Sequence, residues 1–366
     1  MNVIIFIIIL GVLIFVHELG HFFFAKLFGI RAEEFGFGYP PRALKLFNWR
    51  GTDFTLNWVP FGGFVKIFGE ADEGEVLTEE GKKVSLVYKP RYQQLLVMFG
   101  GIIFNIVFAW LLFSGLYLFG VQTPVESVPQ GYAITEDRLV ITQVSPGGPA
   151  EESGIVIGDE LKELVVGTTV IPAESLSNQQ VSNIINNAGV STQELTVVVL
   201  RDDQIQIIPV VPETGVINDR YAIGVALDQL TKVQTRNPLK AFYYGARHTS
   251  FVIVSMTQGL WQLITGGVSF DQVSGPVGIV TQVKDVQRLG FDYIIAFTAL
   301  ISLNLAVINA FPFPALDGGR IVVILIEAIL RRRINPKVIN WIHGIGFLLL
   351  IGLMLVVTTK DVINLF

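Results

Sequence analysis

The chain has 366 residues, of which 51% are apolar and 16% are charged, and its mean hydropathy is +0.56. Soluble domains carry about 25% charged residues, so this composition excludes a soluble cytosolic enzyme and indicates an integral membrane protein. The net charge of −5 provides no basic field, and we expect no nucleic-acid partner. Cysteine is absent, which leaves His, Asp and Glu to hold any metal.

Four stretches are apolar and long enough to cross a bilayer, which takes about 20 helical residues. The first lacks a basic leading region and a small-residue cleavage site, so we interpret it as a retained span and not as a signal peptide. The third continues beyond a proline-rich break. The pattern predicts a polytopic α-helical membrane protein with transmembrane segments at 1–28, 93–120, 290–330 and 340–358.

The polar regions between the spans differ in charge. Residues 29–92 contain nine Lys/Arg and nine Asp/Glu, whereas residues 121–235 contain five Lys/Arg and fifteen Asp/Glu. Residues 331–340 carry three consecutive arginines and one lysine. Because cytoplasmic loops are enriched in Lys and Arg, we expect 29–92 and 331–340 in the cytoplasm, and 121–235 and both termini outside.

The region 29–92 contains two runs typical of β structure. Residues 54–59 alternate apolar with less apolar side chains, and a second run at 64–68 follows a turn-like sequence at 60–63, which predicts a β-hairpin. Its aromatic content favours a re-entrant element that dips into the membrane interface or lines a cavity. A small soluble β-cap is the alternative.

Two further segments have distinct patterns. Residues 125–213 predict an extracytoplasmic β-rich domain, with strand-like runs at 139–144 and 195–200. Residues 236–272 predict an amphipathic helix that lies in the membrane interface, because its wide apolar face is interrupted by polar residues. We therefore expect membrane lipid as a partner of this segment.

The residues that indicate chemistry are His17-Glu18-Leu19-Gly20-His21 in the first span. Residues i and i+4 project from one face of a helix, so the two histidines can bind one zinc ion with Glu18 beside it as a base. The chain has only four histidines, and two of them are here. Ionisable residues inside a span cost several kcal/mol, which favours a functional site over helix packing.

A catalytic zinc ion needs a third protein ligand. His248 and His343 qualify by type, but His248 belongs to the expected outer region and His343 opens the fourth span without an acidic neighbour. Asp317 follows two prolines that break the third span, and the predicted topology gives it the same depth as the first two histidines. We expect Asp317 to complete the site, and a helix N-cap is the alternative role.

These motifs resemble those of the site-2 protease family of intramembrane zinc metalloproteases, and more closely those of bacterial regulators of sigma-factor signalling. The resemblance rests on the HExxH motif and on the N-x-x-P-x-P-x-L-D-G-G sequence at Asn309–Gly319. It covers essentially the whole chain, including Gly100–Asn105 and Ser274–Ile279.

The resemblance implies a role for each site residue. It implies zinc binding by His17, His21 and Asp317, base catalysis by Glu18, and substrate binding by Asn304 and Asn309. The two asparagines differ by about 140° around a regular helix, so both face substrate only if the helix distorts; helix packing is the alternative for Asn304. The resemblance also implies that the hairpin near 54–68 corresponds to the family's re-entrant β-element, which would align an unwound substrate strand by backbone pairing.

Residues 144–150 and 153–159 resemble the turn–helix–turn segment of a PDZ domain. Only one copy is evident, and no unmistakable carboxylate-binding loop lies upstream. Capture of peptide termini and steric screening of bulky substrate ectodomains therefore both remain open for this PDZ-like domain.

The resemblance also implies a setting: a bacterial cytoplasmic membrane enzyme that cleaves transmembrane segments of single-span proteins in regulated intramembrane proteolysis. Its substrates would be anti-sigma factors or signal-peptide remnants, trimmed beforehand by another protease. A non-catalytic PDZ-like scaffold is a second interpretation, although it does not need the complete His–Glu–Asp set. A zinc transporter or metal chaperone is a third interpretation, although Glu18 is placed for base chemistry and the sequence shows no second metal site along a transport path.

Overall fold

The computed structural model describes residues 2–70, 78–124, 137–173, 176–201, 203–217, 220–267 and 273–363. The chain divides into two compact units. Unit one comprises residues 1–115, 242–283 and 295–366. Unit two comprises residues 116–241 and 284–294.

The described residues form ten α-helices, a short 3-10 helix at Leu86–Tyr88 and eleven strands. The helices are α1 (Asn2–Leu27), α2 (Glu79–Val84), α3 (Arg91–Phe119), α4 (Pro149–Glu152), α5 (Asn178–Val190), α6 (Pro238–Thr265), α7 (Pro276–Leu289), α8 (Phe291–Ala310), α9 (Asp317–Leu330) and α10 (Pro336–Ile363). The strands are β1 (Ala32–Trp49), β2 (Thr52–Ile67), β3 (Val121–Pro124), β4 (Asp137–Val144), β5 (Glu160–Val166), β6 (Thr169–Pro172), β7 (Leu195–Arg201), β8 (Gln204–Val210), β9 (Glu213–Ile217), β10 (Arg220–Ala222) and β11 (Val225–Val233).

Four of the described helices are long and apolar enough to cross a membrane, namely α1, α3, α8 and α10. The prediction of four helices long and apolar enough to span is confirmed. The segment predicted at 290–330 consists of two helices, because α8 ends at Ala310 and α9 begins at Asp317. With 14 residues, α9 is too short to cross a bilayer alone.

Helices α1 and α3 approach each other closely at a pair of glycines. A Cβ atom added to Gly20 would overlap the backbone carbonyl of Gly100, and one added to Gly100 would overlap the carbonyl of Gly20. Only glycine permits two backbones to lie at this distance. The contact brings α3 against the helical turn that contains the HExxH motif.

Strands β1 and β2 form one antiparallel element, and the predicted hairpin between 54–59 and 64–68 is wrong. Both runs fall in β2, up to Ile67, and they lie on opposite sides of residues 34–37 of β1. The turn of the hairpin is instead Arg50-Gly51, between the paired residues Trp49 and Thr52. Both turn residues have positive φ angles, 48° and 78°, as a two-residue type I′ turn requires.

One face of this β-element packs on α1. The ring of Phe35 stacks on Phe54 at 5.3 Å and meets Phe22 of α1 edge to face at 5.6 Å. The other face carries exposed aromatic side chains, among them Trp58, which is 72% exposed. The amphipathic character of the element follows from the alternation of strand side chains.

Unit two is built on a sheet with strand order β3-β11-β4-β5-β7-β8, and β6 pairs with β5. The runs 139–144 and 195–200 lie in β4 and β7, as predicted. The predicted limits 125–213 are too narrow, because β11 lies between β3 and β4. Residues 125–136 lie outside the described residues. The apolar side of α5 packs on the sheet through Val181 and Ile185.

The segment predicted as turn–helix–turn forms α4 between two glycine turns. Gly147 and Gly158 have φ angles of 66° and 95°. Asp159 is fully buried, and its carboxylate accepts hydrogen bonds from Arg201 Nε and Nη2, both at 2.6 Å. This bidentate ion pair fixes the second turn. The predicted segment 236–272 contains α6, which ends at Thr265; its interfacial position stays a prediction, and 268–272 lie outside the described residues.

Candidate metal centre

His17 and His21 lie one turn apart on α1, and Asp317 is the first residue of α9. The Nε2 atoms of the two histidines are 3.2 Å apart. Oδ2 of Asp317 lies 3.1 Å from Nε2 of His17 and 3.3 Å from Nε2 of His21. Among the described residues, these three form the only cluster of His, Asp and Glu side chains that could hold a metal ion.

The spacing of these atoms suits zinc. Zinc bonds of about 2.0–2.1 Å to nitrogen and oxygen put the ligand atoms of a tetrahedron about 3.3 Å apart. The three measured separations are 3.1, 3.2 and 3.3 Å. Oδ2 of Asp317 is also buried and has no hydrogen-bond partner among the described residues, which is unusual for a buried polar atom. The donor set and its geometry therefore fit a zinc ion.

Helix α3 orients both imidazole rings. The backbone carbonyl of Val97 accepts a hydrogen bond from Nδ1 of His21 at 2.8 Å. The side-chain amide of Asn105 contacts Nδ1 of His17 at 3.4 Å. Between them, a Cβ atom added to Gly101 would lie 2.5–2.7 Å from the His17 ring, so the glycine makes room for that ring. A bonded Nδ1 leaves Nε2 of each ring directed at the metal position.

Glu18 is the residue next to the first histidine, and its carboxylate is held by the β-element. Its Oε2 accepts a hydrogen bond from the backbone N–H of Val65 at 2.9 Å. A second contact ties the same end of β2 to α9, because Glu70 forms an ion pair with Arg320, one turn after Asp317. The β-element is thus fixed beside the metal cluster at two points.

The two remaining histidines lie outside the cluster. His248 on α6 stacks on Phe113 of α3 at 4.3 Å. His343 on α10 accepts a hydrogen bond at Nδ1 from the backbone N–H of Ala315, at 2.9 Å. Of the three candidates for the third ligand, the structure therefore brings only Asp317 to the histidine pair.

Asn304 and Asn309 both lie on α8, which is a continuous helix up to Ala310. Asn304 is exposed and Asn309 is partly buried. Neither side chain makes a hydrogen bond within the part of the chain that the structure describes. Their roles in substrate binding stay predictions.

Sequence reasoning gave no site role to Val97, Gly101 and Asn105. These residues repeat at intervals of four, so they share one face of α3. An asparagine inside an apolar span was the available signal, because polar groups in spans usually have a specific partner. The sequence cannot single out the backbone carbonyl of Val97, since every residue has a backbone carbonyl.

The class of protein that this fold and this cluster define is a metalloprotease embedded in a membrane. The His–His–Asp set suits zinc, and a glutamate follows its first ligand. Its two histidines lie on α1, which is long enough to span a membrane, and its aspartate begins the short helix α9. The model of peptidase family M50 matches residues 5–353, nearly the whole chain. The chain therefore belongs to peptidase family M50, the site-2 protease family.

Several relatives match over nearly their full length. A Clostridium perfringens protein assigned as a zinc metalloprotease is 34% identical over 354 residues, covering 96% of this chain and 95% of its own. A Synechocystis protein with the same assignment is 33% identical over 361 residues, covering 98% and 93%. Zinc metalloprotease RasP of Oceanobacillus iheyensis is 29% identical over 444 residues, covering 100% and 99%. The protein is a multi-pass membrane zinc metalloprotease.

Proposed function

We propose that His17, His21 and Asp317 hold the zinc ion and that Glu18 is the catalytic base of an intramembrane endopeptidase. The observation that carries this assignment is the near-equilateral triangle of two Nε2 atoms and one carboxylate oxygen, with edges of 3.1–3.3 Å. When bound there, zinc supplies a Lewis acid that polarises the scissile carbonyl and acidifies water.

Glu18 transfers the proton in this proposal. Its Oε2 is engaged by the Val65 N–H, and Oε1 has no hydrogen-bond partner among the described residues. Oε1 is therefore available to take a proton from the attacking water and to pass it to the leaving amine. The Val65 bond keeps the carboxylate in one rotamer during both transfers.

We propose transmembrane segments of single-span proteins as the substrates, in regulated intramembrane proteolysis. The two histidines lie within the apolar helix α1, which favours a substrate that reaches them through the bilayer. Residues 63–67 of β2 pair with β1 on one side and lie next to Glu18, which suits an extended substrate strand added to this edge. Anti-sigma factors and signal-peptide remnants, trimmed by an earlier protease, are the proposed classes.

The proposed setting is a bacterial cytoplasmic membrane, with 29–92 and 331–340 in the cytoplasm and 121–235 and both termini outside. The charge difference between the two large polar regions supports this orientation. We propose that unit two is a PDZ-like domain that hinders substrates with folded outer domains. It contributes no catalytic group in this arrangement.

Glu18→Gln tests the assignment of the base. The variant should bind one zinc ion per chain and lose nearly all cleavage of a single-span substrate in lipid nanodiscs, because the ligand set is intact and the proton acceptor is gone. His21→Ala should lose both zinc and cleavage. Cleavage by Glu18→Gln at a rate near wild type would show that Glu18 is not the base, and zinc-free wild-type protein without activity would favour the scaffold interpretation.

A further inference from the structure

The loop that carries Asp317 is held by α10 at a strained residue. Residues 311–316 connect α8 to α9, and within them Ala315 has a φ angle of +77°. This left-handed conformation is unfavourable for a residue with a Cβ atom, and it persists only where the surroundings enforce it. The backbone N–H of Ala315 donates a hydrogen bond to Nδ1 of His343 at 2.9 Å, which is one such constraint.

A second contact shows that α10 packs directly on the same loop. Gly346 lies three residues after His343, and a Cβ atom added to it would overlap Pro314. On the opposite side, Cβ atoms added to Gly318 and Gly319 would overlap the carbonyls of Phe311 and Phe313. The loop is therefore confined between the first turn of α9 and the face of α10 that carries His343.

We propose that His343 is a positioning residue for zinc binding, acting through the backbone of Ala315. Asp317 follows Ala315 by two residues, so relaxation of the +77° φ angle of Ala315 would move the Asp317 carboxylate away from the histidine pair. His343 is not one of the three ligands. It orients the Asp317 carboxylate through its hydrogen bond to the loop that precedes α9. The inference rests on the proposed role of Asp317 as a ligand.

The zinc affinity of the full-length protein in nanodiscs, measured by competition with a chelator, tests this role. His343→Leu removes the acceptor and should raise the zinc Kd about 10–100-fold, the usual effect of losing a group that orients a ligand. His343→Asn should stay within a few-fold of wild type, because Oδ1 of asparagine is as many bonds from the backbone as Nδ1 of histidine. The matched control is His248→Leu, which should leave the Kd unchanged.

A second substitution separates positioning from a general loss of packing. Glycine adopts positive φ angles without strain, so Ala315→Gly added to His343→Leu should restore much of the zinc affinity. If His343→Leu weakened zinc binding only through a general loss of packing around position 343, Ala315→Gly would not restore the zinc affinity. Equal weakening by His343→Leu and His343→Asn, or no rescue by Ala315→Gly, would overturn the proposal.

Asp317→Ala distinguishes this proposal from the one on which it rests. If Asp317→Ala loses zinc and His343→Leu binds it as tightly as wild type, the positioning role is wrong and the ligand set stands. If Asp317→Ala keeps the wild-type zinc affinity, the ligand set itself is wrong.

Discussion

At the scale of single residues, the two histidines of the HExxH motif differ in what holds their rings. His21 is held by the backbone carbonyl of Val97, which only accepts and so requires the hydrogen on Nδ1. His17 faces the amide nitrogen of Asn105, while the amide oxygen is buried and has no hydrogen-bond partner in the described part of the chain. If this amide is rotated by 180°, Oδ1 of Asn105 accepts a hydrogen bond from the Nδ1–H that His17 carries in its zinc-binding tautomer. Asn105 then accepts a hydrogen bond from Nδ1 of His17, as the carbonyl of Val97 accepts one from Nδ1 of His21.

Asn105→Leu should therefore weaken zinc binding. Loss of the acceptor frees the His17 ring to rotate and to change tautomer, and we expect a rise of about 10–100-fold in the zinc Kd measured by chelator competition. Asn105→Asp keeps an acceptor and should bind more tightly than Asn105→Leu. Ser302→Ala is the control, because the Ser302 hydroxyl donates a hydrogen bond to the backbone carbonyl of Asn105 and, among the described residues, has no other hydrogen-bond partner. Equal zinc affinities of wild type and Asn105→Leu would contradict the role.

The sequence predicted the residues of the cluster but not the groups that orient them. Two histidines four apart on a helix, and one aspartate after a proline break, are visible as residue types and spacings. The acceptor for His21 is a backbone carbonyl, and the constraint on Asp317 is a positive φ angle at Ala315. Both depend on tertiary contacts between distant segments, so neither has a pattern in the sequence.

At the scale of elements, the β-element shows how a turn signal can mislead. The sequence at 60–63 contains a proline and two glycines, and it predicted the hairpin turn. In the structure this segment crosses from one side of residues 34–37 to the other, and Arg50-Gly51 makes the tight turn. Glycine marks both places, because a positive φ angle is needed in a crossing and in a turn alike. Only the pairing of the flanking strand residues distinguishes the crossing segment from the hairpin turn.

Gly100→Ala tests whether the close approach of α1 and α3 supports the metal centre. The new methyl group would overlap the Gly20 carbonyl and push the helices apart, and overpacking of this kind costs about 1–3 kcal/mol of unfolding free energy. We expect a lower thermal midpoint and weaker zinc binding in nanodiscs.

The matched control for this change lies on the same helix. Gly115 has no atom within 4 Å of an added Cβ, so Gly115→Ala should leave zinc affinity unchanged and should not lower the midpoint. If both variants bind zinc like wild type, the glycine contact does not position α3 against the site.

At the scale of the whole molecule, the segment 121–233, which contains the sheet of unit two, begins and ends at residues that lie side by side. Val121 at the start of β3 pairs with Val233 at the end of β11, and the N–H of Thr235 donates to the carbonyl of Tyr117 at 2.8 Å. This segment is thus inserted between neighbouring points of the chain. A cut at the sequence-predicted limits 125 and 213 would separate β11 from β4, whereas removal of 121–233 takes out the sheet whole.

Deletion of residues 121–233, the part of unit two that contains its sheet, with Gly120 joined to Gln234 by about four Gly/Ser residues, tests the role of unit two. Because the unit contributes no catalytic group in the proposed function, the shortened protein should bind one zinc ion and cleave a short single-span stub at close to the wild-type rate. It should also gain cleavage of the same span fused to a folded outer domain, which the intact protein should cleave poorly. Loss of stub cleavage with zinc still bound would mean that unit two recruits the substrate, and the cleft between α5 and β11, lined by Val181, Ile185 and Ile223, would be the place to look for a bound peptide. Unchanged discrimination against the fused substrate would show that exclusion is set by the membrane-spanning helices themselves.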